Sequence, residues 1–464
     1  MGKRQASVRA DFSSFVTGLS GHAELRAHTN RTLSMLYVNG SLTENARKET
    51  SGSSARVYKG GRWGFASTPE LSASAMEKLL VQASRNCELI ADEKETRFEL
   101  GGTSLSVERD FSTKKSRLSQ KDLSEYLREL DAHIAAKYPG LSGRRVWLTG
   151  LDMEKNVFTS SGAHSYSHIP RTHVMVMMTM ERNGNPVELL ESLGGLGHFE
   201  DHFSSPAAFH PLLAKLHENL VKKSEGIHAD AGTHDVILAS DLAGILAHEA
   251  IGHTTEADNI LGGSIASDFL NREAASELVS LVDFAHTALG EQCPVPVFVD
   301  DEGTPAEDAL IIDKGILKGY MHNKESAAKL GMKALGNARG FQFHDEPLIR
   351  MRNTAILPGM SKLDDMVKSI KSGYLLMNPG NGQADTSGEF MFLVRLGFEI
   401  KDGKLGRALR DTTISGKAFD MLKTVSMVSD EMKWESRGFC GKKQPMSVGM
   451  GGPALKCRVN VGGR

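Results

Sequence analysis

Two histidines and a glutamate lie close together near the middle of the chain, in the run Ala247-His248-Glu249-Ala250-Ile251-Gly252-His253. Neutral imidazole nitrogens are common zinc ligands, and a neighbouring carboxylate can take a proton from a water molecule on the metal. A single histidine would favour an ordinary buried side chain. Two histidines that bracket a glutamate instead favour a metal site with Glu249 as the proton acceptor.

The spacing of the two histidines is unusual for such a site. In the common motif His-Glu-x-x-His they are four residues apart and share one helix face, whereas His248 and His253 are five residues apart. On an ideal α-helix, residues five apart are separated by roughly 140°. The sequence therefore predicts that the helix ends or deforms between them, that Gly252 permits this, and that His253 is presented from a broken C-terminal end.

A third metal ligand does not follow from spacing. A catalytic zinc usually has three protein ligands and a water, and the candidates are Glu256, Asp258, His286, His344 and Cys440. Cys440 has small neighbours that would let a thiolate approach a metal, although a single late cysteine is more often a buried structural thiol.

Hydrophobic periodicity predicts the helices and strands that position these residues. A strand at 234–238 precedes a helix capped by Ser240 or Asp241, and the histidine run ends that helix. From about 290 onward, short strands separated by glycine turns predominate, with helices starting at Ser361 and spanning 416–425. This pattern predicts a strand-rich, barrel-like C-terminal domain at 229–464 that carries the histidine-bearing helix.

The first half of the chain mixes strands and helices. Short strands are predicted between 23 and 66, helices at 120–138 and 206–223, and a methionine-rich core strand at 172–180. We therefore predict an α+β fold, with an N-terminal α+β domain at 1–92 and a linker at 93–119. A central α/β region at 120–228 forms a second domain or continues the first.

Composition excludes several classes of protein. The formal net charge is −2 without a long basic run, which argues against a nucleic-acid partner. The longest apolar run, 174–180, is far shorter than the ~20 residues that cross a bilayer. The first residues lack a signal-peptide core, and the four cysteines lack paired spacing. We expect a cytoplasmic protein with reduced thiols and no membrane partner.

The glycine-rich segments 379–382 and 449–452 lack the strand and helix context of a phosphate-binding loop. Turns, or backbone pairing with an extended ligand, explain them better.

The chain resembles the TldD/PmbA family of metalloproteases, also called modulators of DNA gyrase, and within it the metal-bearing TldD-type branch. The HExxxH run at 248–253 carries this resemblance. Further segments match in the same order, at 300–305, 315–321, 336–340, 352–354, 438–442 and 447–456. The likeness covers most of the chain and is strongest from about residue 233 to the end.

The resemblance implies a zinc-dependent peptidase. It implies that His248, His253 and Cys440 bind Zn²⁺ and that Glu249 is the catalytic base. Substrates would be peptides or unfolded polypeptides, threaded in extended form into an enclosed site. The chain would form a homodimer, or a heterodimer with a homologue that lacks the motif. We infer in addition that glycine-bearing strands pair with the substrate backbone.

Two alternatives remain at this point. The chain could be a non-catalytic peptide-binding or chaperone-like subunit of a TldD/PmbA-type heterodimer. It could instead hold a structural zinc ion, which would have four protein donors.

Overall fold

A seven-stranded sheet occupies the first half of the chain. The computed structural model describes residues 7–17, 19, 21–90 and 97–462. Within them the strand order is β3-β2-β1-β5-β6-β4, with β7 paired to β6. The strands are β1 His22–Val38, β2 Ser41–Lys59, β3 Arg62–Thr68, β4 Leu105–Asp110, β5 Gly143–Thr159, β6 Ala163–Arg182 and β7 Asn185–Leu196.

These strands are longer than the sequence predicts. The predicted strands at 23–28 and 33–38 are one strand, β1, because the polar residues between them are not a turn. Thr29 and Asn30 are buried, and the Asn30 amide donates to the Phe341 carbonyl 2.6 Å away. In the methionine-rich strand, Val174, Val176 and Met178 are fully buried, which confirms the predicted core role of that face.

The central region continues the sheet of the first, because β1 pairs antiparallel with β5 along most of its length. The predicted linker contains β4, which pairs parallel with β6. The predicted boundary between residues 92 and 93 lies outside the described residues. The other predicted domain boundaries stay a prediction.

Helices pack on this sheet: α1 Ser13–Val16, α2 Ala73–Ile90, α3 Gln120–Lys137, α4 Phe199–His202 and α5 His210–Ser224, with a 3₁₀ turn at Pro206–Phe209. The helix predicted at 120–138 is confirmed as α3. It begins after Ser119, which accepts a hydrogen bond from the Asp122 amide and donates its own amide to the Asp122 carboxylate. In the described part of the chain, no helix has both the length and the apolar character needed to cross a bilayer.

The second half of the chain forms an eleven-stranded sheet that contains a closed five-stranded barrel. The barrel order is β24-β20-β18-β17-β8, and it closes because β24 also pairs with β8. This confirms the prediction of a strand-rich, barrel-like C-terminal region. Its strands are β8 Gly232–Leu238, β17 Ser372–Ala384, β18 Glu389–Lys401, β20 Thr412–Lys417 and β24 Gly449–Val461.

Shorter elements surround the barrel. The strands are β9 Leu281–Phe284, β10 Thr287–Ala288, β11 Glu291–Gln292, β12 Ala309–Asp313, β13 Ile316–Leu317, β14 Ala338–Arg339, β15 Leu348–Ile349, β16 Asn353–Ile356, β19 Lys404–Leu409, β21 Met427–Glu435, β22 Phe439–Cys440 and β23 Met446–Ser447. The helices are α6 Ser240–Leu246, α7 Ala257–Leu261, α8 Lys324–Leu330, α9 Leu363–Lys368 and α10 Ala418–Lys423, with a 3₁₀ turn at Ile265–Phe269. The helix predicted at 416–425 starts later, because β20 extends to Lys417.

Buried charges join the two halves of the chain. Asp301 accepts hydrogen bonds from Arg26 of β1 and Lys155 of β5, each at 2.7 Å. Its neighbour Glu302 accepts from Arg56 of β2. Because each of these charges has an opposite partner, the desolvation cost of burial is offset. The segment 300–305 therefore has a structural role in attaching the barrel to the first sheet.

Candidate metal centre

The helix that carries the histidine run changes its winding within the run. After α6, residues Ala247–Gly252 form a π-helix, followed by a 3₁₀ turn at His253–Thr255. In a π-helix, backbone hydrogen bonds join residues five apart, and here the His253 amide donates to the His248 carbonyl. Residues five apart then lie about one turn apart. The predicted deformation is confirmed, and it brings the two imidazoles to the same side.

Gly252 does not have the predicted role. Its φ of −55° and ψ of −54° are helical, so the chain does not break before His253. A Cβ at this position would lie 2.0 Å from the Met351 Sδ. Met351 therefore packs directly against the π-helix, and a larger side chain at Gly252 would have to displace its thioether. The prediction of a broken helix end before His253 is wrong.

Cys440 is the third member of a compact cluster. One nitrogen of each imidazole and the Cys440 Sγ all lie within 4.8 Å of one another, and Sγ is 3.3 Å from the His253 Nε2. Cys440 lies on β22, which pairs with β23. The buried Arg350 fixes this segment by donating to the carbonyls of Cys440, Lys442 and Gln444.

The other ligand candidates lie elsewhere. Glu256 accepts a hydrogen bond from the His253 Nδ1 at 2.8 Å, on the ring edge opposite Cys440. Asp258 pairs with Lys442 at 2.7 Å. The His286 ring stacks on Phe298 at a centroid distance of 4.4 Å, and His344 is exposed. Of the five candidates, only Cys440 joins the two histidines.

Burial and charge shift the protonation of this cluster. Burial alone would raise the pKa of the Cys440 thiol, but the neighbouring His248 and His253 imidazoles outweigh it and lower that pKa to about 3. Burial alone would lower the pKa of His253, but the Glu256 carboxylate and Cys440 raise it to about 11. The thiol is therefore held as a thiolate, which is the form that binds metals.

The donor set fits a zinc ion. Both ring nitrogens of the buried His248 lack a hydrogen-bond partner among the described residues, and a buried polar atom without a partner is costly. A cation that accepts a nitrogen lone pair would remove that cost. Glu256 accepts a hydrogen bond from the His253 Nδ1, and a bound cation would replace the second proton of this ring, at Nε2. Two imidazoles and a thiolate suit zinc.

Glu249 lies beside the cluster. Its Oε2 is 3.6 Å from the His253 Nε2, and its side chain is 26% exposed. Together with His248 it lines a cavity of about 410 Å³, whose far side includes Gly380, Arg395 and Phe439. A carboxylate placed between the histidines and a solvent-filled cavity can exchange a proton with a molecule bound there.

Sequence reasoning missed three residues that support the cluster. The sequence predicts Glu256 only as a candidate metal ligand. Its position three residues after His253 places it on the same helix face, where it can hydrogen-bond the His253 ring. Lys442 balances the Glu256 charge at 3.2 Å, and its place two residues after Cys440 was a usable signal. Arg350 had no signal in the sequence, because its role depends on a contact with a segment ninety residues away.

Other matched segments have structural roles. The buried Asp283 accepts hydrogen bonds from Arg352, Asn353, Thr354 and Asn337. A Cβ at Gly382 would lie 1.9 Å from the Phe392 ring, so packing against β18 explains glycine there. Cys457 is buried in the barrel, as expected for a packing thiol.

Comparison with known proteins gives consistent matches over most of the chain. A family model for the PmbA/TldA metallopeptidase C-terminal domain matches residues 231–463, and one for PmbA/TldA metallopeptidase domain 1 matches residues 23–87. A metalloprotease from Methanothermobacter thermautotrophicus is 31% identical, with 95% of each chain covered. A zinc metalloprotease TldD homologue from Saccharolobus solfataricus is 28% identical, covering 89% of this chain and 90% of its own.

Two solved structures share the fold. A proposed modulator of a DNA gyrase from Thermotoga maritima matches with a TM-score of 0.76 at 20% identity, covering 95% of this chain and 96% of its own. TldE from Thermococcus kodakarensis matches with a TM-score of 0.72 at 16% identity, covering 96% and 98%.

Proposed function

The chain belongs to the PmbA/TldD metallopeptidase family, and we propose that it is a zinc-dependent peptidase. His248, His253 and Cys440 hold Zn²⁺, and Glu249 is the general base. The observation that carries this proposal is the position of Glu249, whose Oε2 lies 3.6 Å from the His253 Nε2. Glu249 lines the same cavity as the buried His248, whose two ring nitrogens have no partner among the described residues.

The residues of the chain divide the chemical work. A bound zinc ion would supply a Lewis acid for the scissile carbonyl and lower the pKa of its water. Glu249 accepts the proton from that water and returns it to the leaving amine. Glu256 keeps the His253 ring in one tautomer and orientation through the 2.8 Å bond to Nδ1. Arg350 keeps Cys440 in place through its backbone carbonyl.

We propose an extended peptide as the substrate. Residues 379–384 of β17 pair with β18 on one side, and the pairing of β17 with β8 covers only 373–376. Residues 379–382 also line the cavity beside Glu249. An unpaired strand edge can bind an extended chain through backbone hydrogen bonds, which supports this orientation of the substrate.

The same observations favour a catalytic over a structural metal. Among the described residues that could hold a cation here, three protein donors come together, whereas a structural zinc site has four. A non-catalytic peptide-binding subunit would have no use for Glu249 beside the ligands. Pairing with a second copy or with a homologue lacking the motif stays a proposal, as does a cytoplasmic location, and copurification from the native cell tests both.

The variant Glu249→Gln tests the mechanism. It removes the base but keeps the size of the side chain, so zinc content and peptide affinity should be retained. Hydrolysis of an unfolded polypeptide such as casein should fall by about 10²- to 10⁴-fold. Zinc is measured by elemental analysis and hydrolysis by the release of peptides, with and without a chelator. Full activity in this variant with zinc bound would disprove the proposed role.

A further inference from the structure

We propose that an apolar cavity between the first sheet and the segment 436–439 binds a large apolar side chain of the substrate peptide. This inference rests on the proposed peptidase function, because it assigns a subsite to the same active site. It makes the chain selective for peptides that carry a bulky aliphatic or aromatic residue near the scissile bond.

The cavity has a volume of about 400 Å³, within the range of small-ligand pockets. Strands β1, β5 and β6 form one wall and the segments near Phe341 and Phe439 form the other. Its surface is mainly apolar, and the side chains that make it so are Leu33, Leu151, Met175, Phe341 and Phe439. An apolar wall of this kind favours burial of an apolar group.

The cavity adjoins the one at the candidate metal centre. Phe439 and Arg437 line both this cavity and the one that contains His248 and Glu249. Phe439 directly precedes the proposed ligand Cys440, and side chains alternate in direction along a strand. While Cys440 faces the imidazoles, Phe439 faces away from them and is 57% exposed. A peptide held beside Glu249 therefore has an apolar side-chain site within reach.

The walls of the cavity are held in place before any ligand arrives. Arg171 donates to the Ser436 carbonyl, and the His173 Nε2 lies 3.1 Å from the Ser436 Oγ. Arg339 donates to the Ser447 carbonyl at 3.0 Å. A preformed site avoids the cost of ordering its walls on binding.

The two arginines that line the cavity each have one partner in the segment 435–436. Arg171 bonds Ser436, and the Arg437 Nε lies 3.3 Å from the Glu435 carboxylate. The Nη1 atom of each is buried and has no hydrogen-bond partner among the described residues, so the peptides that carry Glu in the experiment below distinguish an acidic occupant from an apolar one.

Peptide binding to the zinc-loaded Glu249→Gln protein tests the proposal. A fluorescent peptide of fixed sequence carries Ala, Phe or Glu at each position in turn, and the Kd is measured by anisotropy. At one position, Phe should bind about 10-fold or more tightly than Ala. Adding Phe439→Ala should reduce this ratio to about twofold. A second variant, Ser34→Phe, should do the same by filling the cavity from β1.

Leu405→Ala is the matched control. Leu405 is also an exposed apolar residue, at 51%, but it lies on β19 away from the cavity, so the ratio should be retained. Equal affinity for Phe and Ala at every position would overturn the subsite, as would a preference for Glu. A change of oligomeric state in Phe439→Ala without a change in the ratio would also overturn it, since a second copy would then cover this surface.

Wild-type hydrolysis separates the two proposals. Hydrolysis that depends on Glu249 but shows no side-chain preference would leave the peptidase in place and reject the subsite. Discrimination in Kd without any hydrolysis would keep the subsite and reject the peptidase.

Discussion

Two clusters in this chain look alike in composition and compactness, yet differ in what their ring nitrogens contact. In each, three potential metal-ligating atoms lie within 4.8 Å of one another. The motif cluster consists of His248, His253 and Cys440. The sheet cluster, on β5, β6 and the segment before α4, consists of Asp152, His168 and His198.

In the sheet cluster every ring nitrogen has a partner. His168 lies between two carboxylates, with Nε2 on Asp152 and Nδ1 3.4 Å from Asp110. The His198 Nδ1 accepts a hydrogen bond from the Thr113 amide at 3.1 Å. Its Nε2 must therefore carry the proton, which it directs to Asp152 at 3.5 Å. A protonated nitrogen has no lone pair for a metal.

The motif cluster differs on this point. His248 is 1% exposed, and neither of its ring nitrogens has a hydrogen-bond partner among the described residues. The comparison teaches that the nearness of suitable residues does not define a metal site. Nitrogen lone pairs that the protein leaves without a partner are the better criterion, and of the two clusters it favours the motif cluster for the proposed metal.

The largest expected effect comes from removing one histidine from each cluster. His248→Ala should lower the zinc content from about one per chain to below about 0.1, because two protein ligands do not hold a catalytic zinc. His168→Ala should retain the full zinc content. Elemental analysis after dialysis against a weak chelator measures both, and circular dichroism confirms that both variants are folded. Zinc loss in His168→Ala would contradict the proposed difference between the clusters, because it would show that the sheet cluster also holds metal.

A smaller effect is expected from Glu256, which contacts the motif cluster without belonging to it. Glu256→Gln weakens the hold on the His253 ring and should reduce zinc affinity by about 10- to 100-fold. Competition with a chromogenic chelator measures the affinity. Asp258→Asn is the matched control, because Asp258 contacts Lys442 but not a proposed ligand, and its affinity should stay close to wild type. Equal affinities in both variants would show that Glu256 does not position His253.

The sequence predicts those features of the motif cluster that depend on contacts between residues close together in the chain. The spacing of His248 and His253 predicted a deformed helix, because two residues on one helix obey one geometry. It did not predict a π-helix, since several kinds of local deformation satisfy the same spacing. Spacing left five candidates for the third ligand, and only the resemblance to a family pointed to Cys440. A contact between residues nearly two hundred positions apart has no local signal.

The sheet cluster had no signal in the sequence at all. Asp152, His168 and His198 come from separate elements, and their meeting depends on the register of β5 with β6, in which Glu154 is opposite His168. That register is set by the burial of whole strands, not by the residues of the cluster. Distant contacts also explain why the sequence predicts two short strands where the structure has the single strand β1. Asn30, in the polar middle of β1, is buried against Phe341 in the second half of the chain.

The smallest expected effect is a pH dependence of stability that comes from the sheet cluster. Burial would lower the pKa of His168, but Asp152, followed by Glu154 and Asp110, outweighs burial and raises it. A raised pKa in the folded state means that the stabilisation is complete below the ordinary histidine pKa of about 6.5 and is lost as the pH rises through the folded value. His168→Gln removes the charge between the two carboxylates.

The free energy of unfolding of His168→Gln should therefore be lower than that of the wild type by on the order of 1 kcal/mol near pH 5.5. The difference should shrink towards pH 9, because the wild type then loses the same charge. Urea unfolding at fixed zinc occupancy measures it. His286→Gln is the control, because its ring stacks on Phe298, and its difference should not vary with pH. A difference that grows with pH would mean that His168 is buried neutral, and the sheet cluster would regain an unprotonated nitrogen for a metal.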